Sequence, residues 1–320
     1  MDWLLVVLGF GLLIAGGEAL VRGASGLALA AKISPAVVGL TIVAAGTSMP
    51  ELVVSIQSAV NGNVGIAIGN VVGSNIFNIG AILALAALVS PLRVMGNTVR
   101  LEWPVMMLAA IQFFLLARDG LIDRVEGGFL LTAMVAFTAY AVWVGRNAST
   151  PAEVEGFEEM VTASFGANGG RALAYNLLAI LLGVGLLAGG STLLVEGAVG
   201  IATALGVSDT VIGLTIVAAG TSTPELVTSL VASKRGRDDI AIANVVGSNI
   251  FNVLGIVGAT ALLHPLDVPA VIIARDVWWM LGASALLLPL MWTGMRVSRL
   301  EGALLLGGFA TYLALLVRSA

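Results

Sequence analysis

Residues 39–55, GLTIVAAGTSMPELVVS, return at 213–229 as GLTIVAAGTSTPELVTS, and residues 69–78, GNVVGSNIFN, return at 243–252 as ANVVGSNIFN. The blocks 39–78 and 213–252 align at a constant offset of 174 without a gap, with 28 identities in 40 positions. Each copy carries one carboxylate, Glu51 or Glu225, inside a membrane-length apolar stretch. Burying an acid at bilayer depth costs roughly 2.5–3.5 kcal/mol on insertion scales, so such a residue is a functional candidate by default. Two acids duplicated with their surroundings point to a cation site shared between two halves of a transporter.

Composition sets the class. The chain has 320 residues, 58% of them hydrophobic and 11% charged, with mean hydropathy +1.03 and 40 glycines. Soluble domains carry about 25% charged residues, so this is a polytopic membrane protein. The absence of cysteine excludes disulfides, thiolate metal sites and Cys nucleophiles. The single histidine, His264, precedes Pro265 outside the repeats and reads as interfacial. The N-terminus, with Asp2 and no basic segment, does not resemble a cleaved signal peptide and reads as the start of the first span. No basic domain supports nucleic-acid binding, and the sequence points to no protein partner beyond the lipid bilayer.

A hydrocarbon core of about 30 Å needs around 20 apolar residues per helix. Ten spans are expected, near 3–30, 36–60, 64–89, 99–117, 124–145, 172–204, 210–232, 239–262, 271–293 and 300–317. The expected fold is all-α, with two five-helix halves, 1–146 and 172–320, around a cytoplasmic linker at 147–171. That linker carries Glu153, Glu155, Glu158 and Glu159 and reads as a solvated connector. An odd number of spans per half forces inverted topology. With both termini outside, eleven basic residues flank the inner side, Lys234, Arg235 and Arg237 among them, against four outside, Arg118, Arg124, Arg275 and Arg318. The positive-inside rule favours that orientation.

Within GTSMPE, Pro50 cannot donate to the carbonyl of Gly46, so the helix is expected to kink and free carbonyls near Ala44. Irregular backbone at that depth is tolerated where protein or water lines it. Thr47, Ser48 and Glu51, with Thr221, Ser222 and Glu225 in the second copy, then offer hydroxyls and carboxylates, an all-oxygen set suited to hard cations such as calcium and sodium. Ser74 and Asn78 share a helix face, as do Ser248 and Asn252. Their oxygens could coordinate an ion, although small and amide residues also glue membrane helices together. Asn75 and Asn249, one residue off that face, read as packing or orienting the site. The glycine-studded first and sixth spans could slide past a rigid core, and their acids Glu18 and Glu196 read as interfacial or at the mouth of a pathway. GTSMPE offers a serine and a glutamate but no adjacent His or Lys base, so an enzyme is not expected.

The paired GTSxPE and GSNIFN motifs in a five-plus-five layout resemble the two α-repeats of the cation/calcium exchanger superfamily, specifically its prokaryotic sodium/calcium exchanger-like members. The resemblance implies ion sites in a diamond, one for calcium and the rest for sodium. It implies ligands Glu51, Thr47, Ser48, Ser74 and the Ala44 carbonyl, with Glu225, Thr221, Ser222, Ser248 and the Ala218 carbonyl, completed by Asn78 and Asn252. It also implies a secondary antiporter in a cell (inner or plasma) membrane that exchanges Na⁺ for Ca²⁺ by alternating access, without a cofactor. Some members carry Asp where Asn252 stands, which resembles the potassium-dependent branch; here both positions are Asn. A proton/calcium or other divalent-cation exchanger on the same scaffold is the alternative, and a channel is a third.

Overall fold

The computed structural model describes residues 2–31, 34–147, 170–205 and 218–319. In chain order its helices are α1 (Asp2–Ala31), α2 (Ala36–Thr47), α3 (Met49–Val60), α4 (Val64–Val89), α5 (Thr98–Asp119), α6 (Arg124–Asn147), α7 (Gly170–Ala204), α8 (Ala218–Thr221), α9 (Thr223–Lys234), α10 (Asp238–Leu263), α11 (Ile272–Met295) and α12 (Arg299–Ser319). Eight of these are long and apolar enough to cross a bilayer, and the bent pair α2–α3 makes nine. They coincide with nine of the ten expected spans. The remaining one, 210–232, begins among residues outside the described set and emerges as α8 and α9. The linker acids Glu153, Glu155, Glu158 and Glu159 also lie outside it.

Among the described residues the structure is helical apart from turns and four two-residue strands that the sequence did not foretell: β1 (Leu92–Arg93), β2 (Leu121–Ile122), β3 (Leu266–Asp267) and β4 (Arg296–Val297). They establish the direction of the helices between them. β1 precedes α5 and pairs antiparallel with β4, which follows α11. β2 follows α5 and pairs antiparallel with β3, which precedes α11. The start of α5 is therefore tied to the end of α11, and its end to the start of α11. These helices occupy equivalent positions at the 174 offset and run in opposite directions.

The same inversion appears at α1 and α7. Gly9 meets Gly190, Gly16 meets Gly183, and Gly23 meets the Asn176 carbonyl, a register possible only for an antiparallel pair. A Cβ at Gly16 would stand 2.8 Å from the Leu187 backbone nitrogen, so the absence of side chains is what lets these backbones touch. This pair lies at the periphery, with 33% and 28% of its apolar windows buried, against 78% for α4 and 94% for α10. The core is thus built on the two helices that carry the GSNIFN motifs. Packing also crosses between the copies: α6 lies on the end of α10 through Gly127 and Gly258, and α12 lies on the end of α4 through Gly302 and Gly80.

Candidate ion-binding site

α2 and α3 meet at Ser48 with a bend of 45°, and Ser48 leaves the helical region at φ −83°, ψ 12°. Pro50 sits in the first turn of α3, where its missing N–H leaves no helical bond unmade. The proline therefore starts a new helix, and the break falls two residues before it. In the second copy Ser222 has φ −88° and ψ 8°, with Pro224 in the first turn of α9. One expected consequence is not met. The Ala44 carbonyl is not freed: it accepts the Ser48 N–H at 3.0 Å, with the Thr47 hydroxyl 3.3 Å away. Only a second lone pair remains for any other partner.

The two breaks bring Ser48 and Ser222 against each other's copy. Ser48 Oγ donates to Glu225 Oε1 at 2.7 Å, and Ser222 Oγ donates to Glu51 Oε1 at 2.9 Å. Each serine also meets the motif serine of the opposite copy, Ser48 with Ser248 at 3.2 Å and Ser222 with Ser74 at 3.1 Å. A hydroxyl has one proton, so a serine that gives it to a carboxylate accepts from its serine partner. Six expected residues thus form two buried triads that each cross between the copies, Ser48 with Glu225 and Ser248, and Ser222 with Glu51 and Ser74; Glu51 and Glu225 are each 1% exposed.

Asn78 and Asn252 instead bond to the amides of the opposite copy. Asn78 Nδ2 donates to Asn249 Oδ1 at 2.9 Å, and Asn252 Nδ2 donates to Asn75 Oδ1 at 3.0 Å. Both Asn78 and Asn252 fall where the helix widens to five-residue turns, over Asn78–Leu83 and Phe251–Val257, a distortion that recurs at functional sites. The Thr47 hydroxyl has three acceptors within reach of its one proton, the Val43 carbonyl at 3.1 Å, the Ala44 carbonyl at 3.3 Å and Asn244 Oδ1 at 3.3 Å. Thr221 is buried, and Ala218 is the first residue of α8.

Two residues outside the expected ligand set brace the acids. Asn70 Nδ2 donates to the Glu51 carbonyl at 3.1 Å and to Ser55 Oγ at 3.0 Å. Asn244 Nδ2 does the same for the Glu225 carbonyl at 3.3 Å and Ser229 Oγ at 3.0 Å. Their duplication at the 174 offset was the available signal. Glu18 lies apart, paired with Arg22 at 2.5 Å and with Arg235, and Glu196 is exposed.

Eight buried side-chain atoms among the described residues have no hydrogen-bond partner, and four are Glu51 Oε2, Glu225 Oε2, Asn78 Oδ1 and Asn252 Oδ1. All four are oxygens that only accept, and they form two pairs related by the repeat. Leaving such groups unpaired in an apolar interior costs about 1–3 kcal/mol each, more for a charge. None of the ion pairs among the described residues involves Glu51 or Glu225. Nor do the described residues gather three or more His, Cys, Asp or Glu that could hold a metal, so the donor set is two carboxylates plus neutral oxygens.

The sequence profile of the family described as "Sodium/calcium exchanger protein" matches residues 1–143 and 175–318. The chain belongs to the sodium/calcium exchanger family. It is a multi-pass membrane protein and not an enzyme, and members of its family transport Na⁺ and Ca²⁺ without a cofactor. It is similar to "Inner membrane protein YrbG" of Escherichia coli, 34% identical over 316 residues that cover 98% of this chain and 95% of the relative. It is 32% identical to "Sodium/calcium exchanger MaX1" of Methanosarcina acetivorans, over 99% of this chain and 98% of that one. Its fold matches the solved sodium-calcium exchanger NCX_Mj with a TM-score of 0.84 at 31% identity, covering 98% of each chain.

Proposed function

We propose that this exchanger extrudes Ca²⁺ against Na⁺ entry, with Glu51 and Glu225 sharing one central site. The reading is carried by the four unpartnered buried oxygens, two from each copy, two of which belong to carboxylates that no base among the described residues pairs with. Two carboxylates balance one Ca²⁺ in formal charge, whereas three Na⁺ would leave the site at +1. Ser48, Ser222, Ser74 and Ser248 complete the ligand set, with Thr47, Thr221 and the Ala44 and Ala218 carbonyls at its edge. Ten spans in two inverted halves, 1–146 and 172–320, joined by a cytoplasmic linker at 147–171, are the architecture that fits. Both termini then face outward across an inner membrane. The opposed pairs α5/α11 and α1/α7 support the inversion, and the name of YrbG supports the membrane.

Sodium is favoured over protons because the first motif is Gly-Thr-Ser rather than the Gly-Asn-Ala-x-Glu version of the proton-coupled branch. MaX1 and NCX_Mj, alike over nearly the whole chain, are named as sodium/calcium exchangers. Transport by alternating access would move α1 and α7 over the core. The coupling ion is tested in proteoliposomes clamped at zero membrane potential. Ca²⁺ uptake should require an outward sodium gradient and ignore a pH gradient of either sign. Uptake that follows the pH gradient without sodium would make this a proton/calcium exchanger.

A further inference from the structure

Whether an asparagine offers a cation its oxygen or its NH₂ depends on which way the amide is turned. Asn78 and Asn252 both turn their nitrogens outward, to Asn249 and Asn75, and leave Oδ1 unpartnered. An amide–amide pair does not by itself fix this orientation, because both members could flip together and keep their hydrogen bond. The next contact outward removes that freedom. Asn75 Nδ2 points at Met280 Sδ, 3.5 Å away. Asn249 Nδ2 points at Met106 Sδ at 3.7 Å and at the Asn75 main-chain carbonyl at 3.4 Å. A thioether and a carbonyl accept and cannot donate. If Asn75 turned over, its oxygen would face sulfur with no proton between them, and its NH₂ would meet the NH₂ of Asn252. All four amides and both methionines are buried, where water cannot repair such a mismatch.

From this geometry we infer two polarity relays, each alternating between the copies, Met280 to Asn75 to Asn252 and Met106 to Asn249 to Asn78. The outer methionine fixes the middle amide, which fixes the inner amide with its oxygen toward the cation. Met106 and Met280, Asn75 and Asn249, and Asn78 and Asn252 are each 174 residues apart, so the duplication carries the relay whole. Asn75, Asn249, Met106 and Met280 are therefore positioning residues for cation binding, acting through the two inner amides. The inference rests on the cation site proposed above.

The test is calorimetric Ca²⁺ binding to the purified full chain, with Asn75→Leu and Met280→Leu each measured alone and in an Asn252→Asp background. A carboxylate presents an oxygen whichever way it turns, so it needs no relay. Asn75→Leu should weaken Ca²⁺ binding about tenfold in the Asn252 background, the scale of one lost buried hydrogen bond. Met280→Leu conserves volume, so it folds even where Asn75→Leu does not, and it should weaken binding about threefold. In the Asn252→Asp background both losses should shrink below about twofold, since no amide remains to be oriented. Equal losses in both backgrounds would overturn the relay and reduce these residues to packing, with the site intact. An Asn252→Asp change that leaves Ca²⁺ binding at the wild-type level would instead remove Asn252 from the site, and the relay would fall with it.

Discussion

At the residue scale the site is held by reciprocal hydrogen bonds between the copies, so neither copy should be dispensable. Ser48 and Ser222 each give a proton to the other copy's glutamate. A hydrogen bond to a charged group is worth about 1.5–3 kcal/mol, so Ser48→Ala and Ser222→Ala should each weaken Ca²⁺ binding by about tenfold or more. Calorimetry that finds one serine silent and the other essential would contradict the shared-site geometry. Glu51 and Glu225 were legible from the sequence because a duplicated acid in apolar surroundings has few structural explanations. The braces Asn70 and Asn244 were visible only as duplicated amides near the site, and the acceptors Met106 and Met280 not at all, because their roles depend on which atoms the other elements bring near. Thr47 was read as a ligand from its place in the motif, while the backbone one turn back and Asn244 Oδ1 compete for its one hydroxyl proton.

At the element scale the broken helix is where sequence reasoning came nearest to geometry. Pro50 announced a break, and the break came at Ser48 because proline is comfortable in a first turn. The widened turns at Asn78–Leu83 and Phe251–Val257 left no mark in the hydrophobic pattern, since α4 and α10 are buried on nearly every side and carry no apolar stripe to shift. Gly46 lies beside the break and faces α7: a Cβ there would stand 2.7 Å from Val184 Cγ2. Valine is stiff at χ1 and cannot swing aside. Gly46→Ala should therefore slow transport severalfold through an overpacking cost of about 1–3 kcal/mol, and Val184→Ala should restore it. Uptake rates of the single and double variants check this, and a double variant no better than Gly46→Ala would sink the steric account. α1 offers a second test, because a Cβ at Gly17 would sit 3.0 Å from Val227 Cγ1 on α9. Cysteines at positions 17 and 227, in a chain that has none of its own, should form a disulfide that ties α1 to the core. Oxidation should then stop transport and reduction should restore it. Unimpaired transport in the locked protein would rule out sliding of α1 past the core.

At the scale of the whole molecule, the constant offset of 174 carried further than the two motifs. It relates α5 to α11 and Met106 to Met280, and the strand pairings show that the first two run in opposite directions. The positions of the spans were readable because twenty apolar residues in a row have one plausible fate. The short strands at the helix ends were not, since two residues carry no period. With packing and hydrogen bonds crossing between the copies, the halves should assemble without a covalent link. Fragments 1–159 and 160–320 co-expressed in one membrane should bind Ca²⁺ within about threefold of the intact chain, and each alone should fail, because half of the donor oxygens would be missing and the rest left unpaired. Ca²⁺ binding by either fragment alone would place the site within one copy. The most direct test of the shared site is sodium-gradient-driven ⁴⁵Ca²⁺ uptake into proteoliposomes by wild type, Glu51→Gln and Glu225→Gln. Uptake lost in both variants, from folded protein, is the result predicted; uptake that survives in either would show that the two carboxylates do not share one ion.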